Sequence, residues 1–207
     1  MPPQTQARLE KTYSKRRIDS SNRSFIVGNS NKFAHAAALA VANNPARLYN
    51  PLFIYGGSGL GKTHLLFAIA NSLRKKYPSY RIVYIKSEDF MNEMVEAVKT
   101  SGFTEFRAKY RQADLLLMDD VQFLSGRQSL QEEFFHTFEA LFQASKQIVL
   151  TSDRPPKEIA TLSDRLQTRF EVKINRIKKQ ISDLEISLEN YNSICEQIEH
   201  LEHELKN

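Results

Sequence analysis

Cysteine is nearly missing from this chain of 207 residues, and the one present, Cys195, excludes an internal disulfide. Such usage suits a reducing compartment. Long hydrophobic runs are missing too. The longest, Phe33 to Ala42, contains His35 and is far too short to span a bilayer. No N-terminal segment has the charged-then-apolar build of a signal peptide, so a cytoplasmic protein without a membrane span is expected. Zinc-ligand spacing is also lacking. His200 and His203 sit one helical turn apart, but on a tail full of glutamates, which reads as a solvated face.

What is present is ordinary for a soluble protein, with 41% hydrophobic and 26% charged residues. The length suffices for one α/β domain plus an appendage. Charge is uneven. Residues 1–23 carry six Lys/Arg against two Asp/Glu, residues 24–172 carry 18 against 15, and residues 173–207 carry five against seven. A basic arm at the front suits contact with a polyanion, or is a solvated terminus. The division expected is a flexible basic arm over 1–23, an α/β core over 24–171, and a helical tail over 172–207.

The core is organised by Leu52 to Thr63. Four apolar, β-prone residues (Leu52 to Tyr55) precede Gly56-Gly57-Ser58-Gly59-Leu60-Gly61-Lys62-Thr63, which fits the phosphate-loop pattern G-x-x-x-x-G-K-[ST]. Glycines let successive N–H groups turn inward onto phosphate oxygens, and the following helix aims its positive end at the same anion. Lys62 is placed to bridge the β- and γ-phosphates, and Thr63 to hold Mg²⁺ through its hydroxyl. The candidate nucleotide contacts are therefore Gly57, Gly59, Leu60, Gly61, Lys62, Thr63 and the adjoining His64.

Around this loop, helical and extended patterns alternate. Helices are expected over 31–43, from the loop to about Lys75, to about Thr100 with capping offered by Ser87 and Asp89, over 104–111, and from a Ser129-Leu130-Gln131-Glu132 capping box onward. Strands are expected over 52–55, 81–85, 115–118 and 147–151. That alternation predicts a parallel sheet flanked by helices, with its ligand beyond the carboxyl ends of the strands. Phe25, Ile26 and Val27 are either a wall of a nucleobase pocket or plain core.

Two polar sites, like the phosphate loop, follow strand ends. Leu115 to Met118 run into Asp119-Asp120, about fifty residues past the phosphate loop, a Walker-B-type element. Asp119 would hold Mg²⁺ through its waters, and Asp120 would orient the attacking water. Asp153 is either a polar sensor near the γ-phosphate or a turn residue before Pro155-Pro156. Arg165 and Arg169 are candidates to reach a neighbouring subunit's γ-phosphate, the alternative being salt bridges to Asp164 or another acid.

From about Ser24 to Glu171 the chain resembles the nucleotide-binding domain of the bacterial replication initiator family DnaA, of the AAA+ class. The resemblance is carried by Phe33-Ala34-His35-Ala36-Ala37, Asn50-Pro51-Leu52-Phe53-Ile54-Tyr55-Gly56-Gly57, Gly59 to Leu66, Asp119-Asp120-Val121-Gln122-Phe123, Gln131 to Phe138, and Thr151 to Ile159. It implies an AAA+ fold in which Lys62, Thr63, Asp119 and Asp120 serve ATP and Mg²⁺. It also makes Asp153 the sensor and Arg169 the finger offered to an adjacent subunit. The helix with Val95 and Lys99 would belong to the family's insertion lining a single-stranded DNA channel. Lys109, Arg111 and Arg127 are added on charge alone. The implied partners are single-stranded DNA, further copies of the initiator and the replication machinery.

Beyond Glu171 the resemblance stops, at the point where the family continues with a helical lid and a helix-turn-helix DNA-binding domain. Duplex recognition is therefore not expected of these residues, and ATPase activity is expected to be weak at most. Ile174, Ile177, Ile181, Leu184, Leu188, Tyr191, Cys195, Ile198 and Leu205 instead step by threes and fours, with Glu202 breaking the series. This is either a coiled coil of about four to five heptads or one amphipathic helix packed back on the sheet. The main reading is an ATP-binding protein of replication initiation, switched by ATP between assembly states. A regulatory protein that caps initiator filaments is the first alternative. A helicase-loader-like ATPase is the second, and the Gln131 to Phe138 block speaks against it.

Overall fold

A computed structural model describes residues 27–28 and 31–171. Four parallel strands form one sheet: β1 (Leu52–Tyr55), β2 (Ile82–Lys86), β3 (Leu115–Asp119) and β4 (Gln147–Ser152), in the order β1-β4-β3-β2. Strands covered on both faces favour apolar residues at successive positions, which is why residues 115–118 of β3 and 148–150 of β4 read as unbroken hydrophobic runs.

Side-chain alternation divides those runs between two cores. Leu115, Leu117 and Val149 meet α1 (Lys32–Asn43) and α2 (Lys62–Lys76) through Ala38, Val41, Leu65, Leu66 and Ile69. Leu116, Met118, Ile148 and Leu150 face the other layer. That layer holds α3 (Ser87–Lys99), α4 (Phe103–Arg111), α5 (Gln128–Gln143) and α6, helical over 164–171. The second core is aromatic: Phe90, Phe106, Tyr110 and Phe134 are buried together. Phe170 joins them from α6, with its ring 5.3 Å from Phe53 of β1 and 6.1 Å from Phe138 of α5.

Within the described residues the expected strands and helices of the core are found, with ends displaced by a residue or so. The expected caps are not. Helix α5 opens one residue before Ser129, with Arg127 at its N-cap and no side-chain cap. Glu132 accepts from Gln128 Nε2 (3.2 Å) instead of folding back on Ser129. Ser87 begins α3, and its hydroxyl donates to the Asp119 carbonyl (3.2 Å), tying that helix to the end of β3. Tertiary partners outcompete local capping at both positions. Among the described residues no helix is long and apolar enough to cross a membrane. The basic arm, Phe25 and Ile26, and the heptad-patterned tail lie outside the described residues.

Candidate nucleotide-binding site

The carboxyl ends of β1, β3 and β4 lie side by side, so the sequence-predicted polar residues converge. Tyr55 pairs with Ser152, and the Gly56 N–H extends the ladder by donating to the Ser152 carbonyl (3.2 Å). The chain then turns through Gly59 (φ +80°) and Gly61 (φ +83°), left-handed conformations that a side chain would strain. Gly61 is the N-cap of α2, so the first-turn N–H groups of that helix face the loop. Lys62 lies across it, its ammonium donating to the carbonyls of Gly56 (2.7 Å) and Gly57 (2.9 Å). Leu60 is exposed at the loop tip, and His64 is half-buried in the first turn of α2.

Asp119 is the anionic floor of the site. Its parity with Leu115 and Leu117 turns it to the α2 face, and it is only 1% exposed. Thr63 of α2 donates to its Oδ2 at 2.8 Å. Two residues missed by motif reasoning complete the surround. Tyr84 of β2 donates to the same oxygen at 3.1 Å, and Thr151 of β4 donates to Oδ1. Three hydroxyls thus hold the carboxylate, and among the described residues no Lys, Arg or His forms an ion pair with it. A hard cation fits these oxygen donors. No described cluster of three or more His, Cys, Asp or Glu offers a full protein cage. Mg²⁺ characteristically needs none, since it keeps waters and phosphate oxygens as ligands.

Asp120 follows in a left-handed backbone conformation (φ 60°, ψ 51°) that turns the chain off the strand. Its N–H donates to Thr151 Oγ1 (3.1 Å). Gln122, also missed, contacts Asp120 Oδ1 through Nε2 (3.4 Å) and accepts from the Asp153 N–H at Oε1 (3.3 Å). The second carboxylate and the sensor candidate are therefore joined through one amide. Arg154 forks onto both oxygens of Asp153 at 2.8 Å. That hydrogen-bonded guanidinium, with a smaller contribution from Lys62, holds the Asp153 carboxyl below its ordinary range. Asp153 directly follows Ser152, whose carbonyl accepts the Gly56 N–H, so the sensor candidate stands beside the start of the loop.

The remaining predicted residues lie elsewhere. Arg169 sits on α6 and pairs with Glu139 of α5 (2.7 Å), while the Arg165 guanidinium rests 5.9 Å from the Phe135 ring. Val95 (47% exposed) and Lys99 lie on α3. Val95 shares a cleft of about 260 Å³ with Met91, Met94 and Arg127. The Arg127 side chain donates to the Phe123 carbonyl. Lys109 is ion-paired with Glu93, and Arg111 with Glu133 (2.7 Å). A larger concavity of about 750 Å³ lies away from the loop, lined by Gln131, Phe135, His136, Thr161 and Arg165 among others.

Comparison with known proteins bears on this arrangement. The chain is 51% identical to domain III of the Thermotoga maritima replication initiation protein DnaA over 74% of its length, with a TM-score of 0.72. It is 47% identical, over the same share and with the same TM-score, to a replication initiator DnaA solved with AMPPCP and single-stranded DNA. The chain spans 64% of the first of these proteins and 48% of the second. The DnaC helicase loader, 17% identical with a TM-score of 0.63, shares the fold alone. The model of the bacterial DnaA ATPase domain matches residues 19–176, and this chain belongs to that family.

Proposed function

We propose that this domain binds ATP with Mg²⁺ at the carboxyl ends of the sheet, and that binding switches its self-assembly and its grip on single-stranded DNA. The observation carrying this reading is the Thr63 hydroxyl 2.8 Å from buried Asp119, directly after the lysine that crosses the glycine loop. Bound Mg²⁺ would neutralise charge shared between the β- and γ-phosphates. The chain's own groups do the rest. Loop N–H groups and the α2 N-terminus receive phosphate oxygens, and Lys62 exchanges two carbonyls for phosphate. Asp120 and Asp153, linked by Gln122, stand ready to orient water and register the terminal phosphate. Binding rather than turnover is the output assigned.

Arg169 is the group offered to a neighbouring copy, leaving Glu139 for that copy's nucleotide. The matched initiator bound to AMPPCP and single-stranded DNA supports both ligands. On this chain the strand would run over Val95, Lys99 and Arg127. Lys109 and Arg111 shape that surface while their charge is largely satisfied by Glu93 and Glu133. The reading places the domain with the replication machinery in the cytoplasm.

Lys62→Ala tests the reading. Loss of charge-assisted contacts to two phosphates weakens ATP binding by at least about a hundredfold in a fluorescent-nucleotide titration. ATP affinity equal to that of the parent chain overturns the assignment.

A further inference from the structure

We infer that Tyr84 and Thr151 are positioning residues for the cation, acting through Asp119. The inference rests on the Mg²⁺ reading above and deepens it. The phosphate-loop and Walker-B patterns specify Thr63 and Asp119, but neither reaches β2 or β4. The register does. Tyr84 pairs with Leu117 of β3, and Leu117 pairs with Val149 of β4. Two residues beyond Leu117 and Val149, on the same face, stand Asp119 and Thr151. The α2 face of adjacent strands thus brings a carboxylate and a hydroxyl to one level, and the Tyr84 phenol reaches that carboxylate from two residues back.

Each hydroxyl is fixed from behind. The Tyr84 ring packs on Phe67 of α2 with centroids 4.8 Å apart, which sets the direction of its hydroxyl. Thr151 is fully buried, and its oxygen accepts the Asp120 N–H while it donates to Asp119 Oδ1. That acceptance orients the threonine hydroxyl as a donor to Asp119, and it couples the two acidic residues. Thr63 is different, because its oxygen is the one a cation would take. When Thr63 turns to the metal, Tyr84 and Thr151 still hold the two carboxylate oxygens. They fix the plane of Asp119 and leave its remaining lone pairs for metal-bound water.

The experiment is a Mg²⁺ titration of fluorescent ATP analogue binding to the full chain, with binding in EDTA as the metal-free reference. Tyr84→Phe keeps the ring on Phe67 and removes only the hydroxyl. It raises the Mg²⁺ concentration at half-effect about tenfold to a hundredfold, as expected for one lost hydrogen bond to a charged group that holds a metal. Affinity in EDTA stays at the parent level. Thr151→Val behaves likewise, and Thr151→Ser restores the parent midpoint. A merely structural role would lower affinity with and without metal and would not be rescued by serine. A parent-like Mg²⁺ midpoint in both Tyr84→Phe and Thr151→Val, with Asp119→Asn strongly shifted, overturns the inference and leaves the metal reading intact. A parent-like midpoint in Asp119→Asn overturns the metal reading itself, and this inference with it.

Discussion

Asp119 and Glu133 are both buried carboxylates, at 1% and 5% exposure, and the protein treats them in opposite ways. Around Asp119 stand three neutral hydroxyls. Around Glu133, on α5, stand the guanidinium groups of Arg107 (3.0 Å) and Arg111 (2.7 Å) from α4. Burying a carboxylate costs free energy that a salt bridge offsets and hydroxyls offset only in part. The charge of Glu133 is consumed in fastening α4 to α5. That of Asp119 is left available, as a cation site requires. The same contrast separates the basic residues predicted for DNA. Lys109 is held by Glu93, which also accepts from Tyr110 (2.7 Å), whereas Arg127 makes only a carbonyl contact among those described.

The largest expected effect breaks or confirms the contrast directly. Glu133→Gln leaves Arg107 and Arg111 without a counter-charge. Because both arginines are partly exposed and reach water, the loss is about 2 kcal/mol, below the full cost of breaking a buried pair. Thermal unfolding should move down by about 5 °C. Asp119→Asn, in buffer without nucleotide or Mg²⁺, should leave the midpoint unchanged or raise it, since it removes a buried charge that no cation offsets. An equal drop for both variants would mean that hydroxyls neutralise Asp119 as fully as arginines neutralise Glu133.

A smaller effect sharpens the DNA side. Each phosphate contact on a single strand contributes roughly 0.7 to the slope of log affinity against log salt. Arg127→Ala should lower that slope by about this amount and weaken binding several-fold. Lys109→Met should leave it within about 0.2, because Glu93 already occupies the ammonium. Equal slope losses for the two variants would show that the Glu93 pairing opens when DNA arrives.

Much of this was legible in the residues, for particular reasons. The phosphate loop is read from eight consecutive positions, and β3 from an apolar run ending in two carboxylates. Both signals are local. Tyr84, Thr151 and Gln122 were missed because their roles depend on which strands adjoin, and the order β1-β4-β3-β2 is not written in any one segment. A trace existed: each of Tyr84 and Thr151 is a polar group inside a buried strand, and such groups need partners. The predicted caps at Ser129 and Ser87 failed for the converse reason. They are local signals, overridden by Gln131, which donates to the carbonyls of Leu124 and Thr161, and by the carbonyl of Asp119. The residues alone offer Arg165 and Arg169 as finger candidates, and only the resemblance chooses Arg169. Its bond to Glu139 is the surface salt bridge that the residues alone suggested.

The smallest effect concerns a third carboxylate, intermediate between the first two. Asp114 precedes β3, at the amino end of the sheet and opposite the end that carries the phosphate loop. It is paired with Lys146 (2.7 Å) and accepts the Arg81 N–H (2.9 Å). Partial burial pushes its carboxyl up. The hydrogen bond from Lys146, the Arg81 N–H and the charges of both residues outweigh that and leave it below the ordinary value. The sign follows. A depressed folded-state value means stability that is present above the unfolded carboxyl's value, about 3.9, and is lost as pH falls through the folded one. The pair is partly exposed, so the contribution is roughly half a kcal/mol. Asp114→Asn keeps an acceptor for Arg81 and removes only the charge. Unfolding midpoints of parent and variant should differ slightly from pH 7 to pH 5 and converge below pH 4. A difference that persists at pH 3 would mean that Asp114 acts through its backbone-directed hydrogen bond. In that case Lys146, like the hydroxyls around Asp119, orients a carboxylate without neutralising it.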